Sequence, residues 1–150
     1  MQERRLRERA LATRLGPISR SWLQLADDAL SSLGISNSSG WALVHLLRLG
    51  ETVRQGELAR VVGVTEPSLV RTLNLLEGAG LIERIADESD RRAKHLALTP
   101  EGAALAERID TRLNALRAGL LDGISDEDLE TTVAVLDRIA VRVAESSGKP

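Results

Sequence analysis

Cysteine is absent from this chain of 150 residues. Disulfides, thiolate catalysis, cysteine-type zinc sites and thiol redox sensing are excluded with it. Phe and Tyr are also absent, which leaves Trp22 and Trp41 as the only aromatic residues. No apolar run approaches the ~18 residues of a membrane-spanning helix. The start, Met1 to Arg9, is charged and lacks the apolar stretch of a signal peptide, and Glu3 and Glu8 argue against an Arg-rich transit peptide. A cytoplasmic location is therefore expected. Excess charge of one sign is missing too: 20 Lys+Arg stand against 22 Asp+Glu, a formal charge of −2. The basic total usual for a nucleic-acid-binding domain is not there. His45 and His95 are fifty residues apart, and no histidine–acid cluster has ligand spacing, so neither a metal nor a cofactor is expected. Nor is there a nucleophile–base pair or a phosphate loop to suggest an enzyme.

What is present is a chain able to build a core, 43% hydrophobic and 28% charged. Its charge is segregated. Residues 1–20 hold six Arg and two Glu, whereas residues 100–150 hold six basic and ten acidic residues. Gly16-Pro17 interrupts an otherwise helical N-terminal stretch, and Leu23, Ala26, Leu30 and Leu33 recur at helical spacing up to Gly34. Ser36-Asn37-Ser38-Ser39 offers N-caps to a helix that carries Trp41, Val44 and His45 and stops at Gly50. A short helix from about Gly56 to Val62 ends at Gly63, and another begins at Thr65-Glu66-Pro67, where Thr caps and Pro suits the first turn. Leu81–Ile85 and His95–Thr99 read as two short strands around a polar turn, Asp87 to Arg92. Thr99-Pro100-Glu101 opens a helix with an apolar stripe of Leu105, Ile109, Leu113, Leu116 and Leu120. Ser125 caps the last helix, whose Leu129, Val133, Leu136, Ala140 and Val143 form a heptad-like seam. The predicted order is four helices, two strands and two helices.

The middle of that order has a specific logic. Leu58 and Ala59 on a short helix, Gly63 in a tight turn, and Leu69 and Leu73 on the next helix make helix-turn-helix spacing. Ala59 is small enough for close helix approach, and Gly63 supplies the φ > 0 backbone the turn favours. The hairpin that follows makes this a winged helix-turn-helix. Arg91-Arg92 at its tip reads either as a solvated turn or as arginines entering a narrow A·T minor groove. Glu66 and Glu77 each offer Arg71 an ion pair, which is one reading of this arginine.

Four stretches together resemble the MarR family of bacterial transcription regulators, in particular its SlyA-like branch. They are Glu66-Pro67-Ser68-Leu69-Val70-Arg71-Thr72-Leu73; Leu76-Glu77-Gly78-Ala79-Gly80-Leu81-Ile82; Ser89-Asp90-Arg91-Arg92-Ala93-Lys94; and Leu98-Thr99-Pro100-Glu101-Gly102. The resemblance spans about residues 15–145. It implies a mainly α fold with a small β-hairpin wing, divided into an N-terminal dimerisation helix (1–35), a winged helix-turn-helix domain (36–99) and C-terminal dimerisation helices (100–150). It implies a transcription regulator that binds pseudo-palindromic double-stranded DNA as a homodimer, with Thr65, Pro67, Ser68, Arg71 and Thr72 at the major groove. By the same resemblance Arg92 reaches the minor groove, Asp90 braces it, and Arg91 and Lys94 sit on phosphates.

The seam on the last helix supports the dimer independently, because a monomer this small would struggle to cover it. The basic first twenty residues and the acidic last fifty are of opposite charge and could also attract one another across subunits. Many family members release DNA on binding small aromatic acids, and Arg20, Trp41 and His45 match positions that line the ligand pocket. Trp41 and His45 lie one helical turn apart, where an indole stacks on a ring and Arg or His⁺ pairs with a carboxylate. The other reading of Trp41 and His45 is structural: core filling and a hydrogen-bonded histidine. Repression and activation both remain open, and a winged-helix module that binds a protein instead of DNA is the alternative function.

Overall fold

A computed structural model of the chain describes residues 1–50, 52–90 and 94–148. Among the described residues six helices and three strands follow in the order α1 (Gln2–Ser31), α2 (Asn37–Leu49), β1 (Val53–Arg54), α3 (Gln55–Val62), α4 (Glu66–Gly78), β2 (Ile82–Ala86), β3 (Lys94–Leu98), α5 (Pro100–Leu120) and α6 (Asp126–Ser146). The chain divides into two compact units, Met1–Leu116 and Arg117–Pro150. The fold is mainly helical with a small antiparallel sheet, the winged helix that the sequence predicts.

Local chemistry sets most of the boundaries. Ser36, Thr65 and Ser125 each accept a backbone N–H three residues on, from Ser39, Ser68 and Asp128, and so begin α2, α4 and α6. Gly63 closes α3 at φ 78°, a left-handed conformation that costs a residue with a Cβ about 1–2 kcal/mol. The turn it makes brings α3 back against α4.

Two departures from the sequence reading have physical reasons. α1 runs unbroken through Gly16-Pro17. Proline removes one N–H, which leaves the Thr13 carbonyl without its helical donor. Both residues are exposed, so water can satisfy that carbonyl and the helix continues. The second departure is β1. Only two residues long, it pairs antiparallel with β3, Val53 opposite Leu96 and Arg54 opposite His95. The strand order is β1-β3-β2, so β3 is central and the wing is tied to the chain that enters α3.

The core lies under the winged helix. Leu43, Leu46, Leu58, Leu69, Leu73, Ile82, Leu96, Ile109 and Leu113 are all fully or almost fully buried. Each contributes about 1.5–3 kcal/mol by leaving water. Ala59 is buried where α3 meets α4, consistent with its small size. α6 differs in kind: it has no buried residue, and Val133, Leu136, Val141 and Val143 of its apolar seam and flank are exposed. No described helix is long and apolar enough to cross a membrane.

Candidate nucleic-acid interface

The four inward positions of α4 are Leu69, Thr72, Leu73 and Leu76. Their 3–4 spacing fixes the opposite face, which presents Pro67, Ser68, Val70, Arg71, Asn74 and Leu75 to solvent. Thr65 holds the start of this helix. Its hydroxyl accepts the Ser68 N–H and donates to Ser68 Oγ at 3.1 Å. Pro67 occupies the first turn, where a missing N–H costs nothing. Ser68 and Arg71 are therefore outward side chains on a capped helix. Thr72, grouped with them from the sequence, is turned inward: it is 8% exposed and its hydroxyl points to the Ser68 carbonyl. Ser38, Ser68, Arg71 and Leu75 edge a shallow cleft of about 310 Å³ between α2, the α3–α4 turn and α4.

Arg71 carries no ion pair among the described residues. Of the two acids that could have taken it, Glu77 is paired elsewhere and Glu66 makes no ion pair with it. The Glu77 carboxylate accepts from Arg84 Nη1 of β2, and the Glu66 carboxylate lies over Gly56 at the start of α3. Arg84 also donates through Nη2 to Asn74 Oδ1 at 2.8 Å. One guanidinium thus joins the wing to the last two turns of α4, and its side chain is only 16% exposed. Sequence reasoning missed Arg84. The signal was there: it sits two residues after the buried Ile82, on the same face of β2.

At the base of the wing Asp87 gathers four donors. Ser89 gives its N–H at 2.9 Å and its hydroxyl at 2.7 Å to Oδ1. His95 Nε2 lies 2.9 Å from Oδ2, and Arg54 Nη2 approaches the same oxygen at 3.5 Å. The hydrogen bonds from Ser89, side chain before backbone, and then from His95 hold the Asp87 carboxyl far below the usual carboxylate range. Of the wing residues predicted to touch DNA, Lys94 is exposed at the start of β3. Asp90 is exposed and has a partner. Arg91 and Arg92 lie outside the described residues.

Of the predicted ligand residues, Trp41 and His45 lie on α2 and Arg20 on α1. Trp41 and His45 are neighbours, ring centroids 6.0 Å apart and planes tilted by 30°. The indole N–H donates to Asp27 Oδ1 of α1 at 3.0 Å. Burial, and then the charge of Arg48, push the His45 pKa down, so the ring is neutral at pH 7. Arg48 in turn pairs with Asp110 of α5 at 2.8 Å. Arg20 is exposed, with its guanidinium laid back along α1 against Gly16. Trp41 therefore has a satisfied structural contact, and the cation beside His45 already has an internal carboxylate partner.

Known proteins share the family and the fold. A family model described as the MarR family matches residues 33–93. The chain is 38% identical to the transcriptional regulator PA3341, whose crystal structure it matches with a TM-score of 0.82 over 90% of this chain and 98% of that one. S. aureus MepR in its DNA-binding conformation is 27% identical, with a TM-score of 0.78 over 89% of this chain and 98% of that one. The MepR–DNA complex is 29% identical, with a TM-score of 0.69 over 84% and 92%.

Proposed function

The chain belongs to the MarR family of transcriptional regulators, and from that premise we propose that it binds specific double-stranded DNA as a homodimer and regulates transcription there. The observation that carries this reading is Arg71, presented on the outer face of a capped helix with no internal ion pair among the described residues. The likeness to MepR in complex with DNA supports it. In this reading α4 enters the major groove, with Thr65 and Pro67 setting its start. Ser68 and Arg71 meet bases or phosphates, and Thr72 holds the helix from inside. The wing follows the backbone into the adjacent minor groove, with Arg92 inserted and Arg91 and Lys94 on phosphates.

The exposed seam of α6 supports a dimer, because Val133, Leu136 and Val143 on one face have no cover within the helix's own unit. Two copies of α4 then read half-sites about one DNA turn apart. Sedimentation at micromolar concentration is expected to give twice the chain mass of 16.2 kDa, and a species at the single-chain mass would count against the dimer. A small aromatic acid enters this scheme by stacking on Trp41 and competing with Asp110 for Arg48, since neutral His45 offers no charge.

The direct test is a gel shift against the DNA upstream of the protein's own coding sequence, repeated at rising salt. Binding should fall steeply between 50 and 200 mM salt, because each neutralised phosphate releases counterions. Arg92→Ala should weaken binding and remove the preference for A·T in the minor groove. Wild-type binding by Arg92→Ala would show the wing assignment to be wrong. Salt-insensitive or absent binding would favour the protein-interaction alternative.

A further inference from the structure

The wing bears on DNA only if its outgoing arm leaves the sheet in a fixed direction, and the structure places a single carboxylate at the point of departure. Asp87 directly follows the last residue of β2. Its Oδ1 takes both donors of Ser89, which turns the arm at its first step. Its Oδ2 faces His95 of β3 and Arg54 of β1. These two are directly opposite in the β1–β3 register, and His95 also stands opposite Ile85 of β2. One carboxylate therefore ties all three strands to the start of the arm.

His95 is the unusual member. Nε2 faces a carboxylate, so it carries the hydrogen and donates. Nδ1 is buried and has no partner among the described residues. A buried polar atom without a partner is costly, and leucine would fill the same position without that cost. What histidine supplies here and leucine does not is the Nε2–H bond to Asp87. That carboxylate stays ionised at any pH at which DNA binding is measured, so the bond remains charge-assisted.

We propose that His95 is a positioning residue for DNA recognition: by holding Asp87 it fixes the exit direction of the wing arm, and with it discrimination at the minor-groove step. The proposal rests on the reading of the wing as a minor-groove probe. Ser89 and Arg54 are its other supports, but only His95 reaches Asp87 from the central strand.

The experiment measures affinity for two DNA duplexes, one carrying A·T and one carrying G·C at the wing-facing step. Wild type, Arg92→Ala, His95→Ala, His95→Gln and His95→Asn are compared, with thermal melting recorded for each. Glutamine places an amide N–H near the position of Nε2, whereas the asparagine amide stops short of Asp87. His95→Ala and His95→Asn are expected to lose roughly tenfold in discrimination, the scale of one good groove contact. His95→Gln is expected to retain it, with melting close to that of His95→Asn. If His95→Ala does not fold, the Gln and Asn pair carries the comparison. Loss in Arg92→Ala with none in the His95 variants overturns the brace alone. Equal loss in Gln and Asn also overturns it, since ring shape and not the Nε2 donor would then be what matters. No loss in any variant overturns the wing reading and the brace with it.

Discussion

Gly102→Ala is expected to destabilise the protein by about 3 kcal/mol or more, at the severe end of what overpacking costs. Gly102 lies in the first turn of α5, and a Cβ built there would stand 1.8 Å from the carbonyl oxygen of Leu81 and 2.8 Å from its carbonyl carbon. The obstacle is backbone, so no side-chain rotation relieves it. The carbonyl cannot move freely either, because it accepts the Thr99 N–H at 3.1 Å. Thr99 is a second constraint: its hydroxyl donates to the Gly80 carbonyl at 2.6 Å and accepts the Gly102 N–H at 3.0 Å. Making room for a methyl group means lifting α5 from the segment between α4 and β2, which breaks these bonds and opens the core around Ile82 and Ala106. Gly119 in the same helix has nothing within 4 Å of its Cβ position. Gly119→Ala should therefore stabilise by about 0.4–1 kcal/mol through the unfolded chain. Urea midpoints for the two variants should move in opposite directions. An unchanged midpoint for Gly102→Ala would mean that α5 does not approach Leu81 as described.

Gly102 was visible in the sequence only as part of a family-like stretch, and its role as a contact was not. That contrast holds across the chain. Features decided within three or four residues were legible: the caps at Ser36, Thr65 and Ser125, the left-handed Gly63, and the outward placement of Ser68 and Arg71. Features decided by a distant partner were not. β1 exists because Leu96 and His95 lie beside it, and a two-residue strand has no period to detect. Thr72 looked like an outward hydroxyl, but the 3.6-residue turn places it with Leu69 and Leu76. Arg84 and His95 act through Glu77, Asn74 and Asp87, each seven to ten residues away and, for Arg84, on a different element, α4. Pro17 shows the reverse case, a strong local rule overridden where Thr13 and Pro17 are both exposed and water can reach the freed carbonyl. The overall charge of −2 concealed the interface for a similar reason. In the proposed reading, recognition rests on a few arginines at defined positions, whereas the sum also counts the acids of α6.

Arg71→Ala is expected to weaken specific DNA binding by roughly ten- to a hundredfold, the scale of a lost bidentate contact to guanine. In the free protein Glu77 is held by Arg84 and Glu66 lies near Gly56, so among the described residues the Arg71 guanidinium has no ion pair to give up on binding. The side chain is exposed, so its removal should change folding stability by less than about 0.5 kcal/mol. Arg71→Lys separates the two roles the position can have. If Arg71 sits on a phosphate, lysine restores most of the affinity, and alanine weakens every sequence alike while reducing the salt slope by about one. If it reads a base, lysine keeps the charge but loses the planar fork, and the defect persists on the specific site alone. The capped position at the outer face of α4 favours the base-reading outcome. Anisotropy titrations of the three proteins on specific and scrambled DNA decide it, and alanine binding the specific site as wild type does would remove α4 from the recognition scheme.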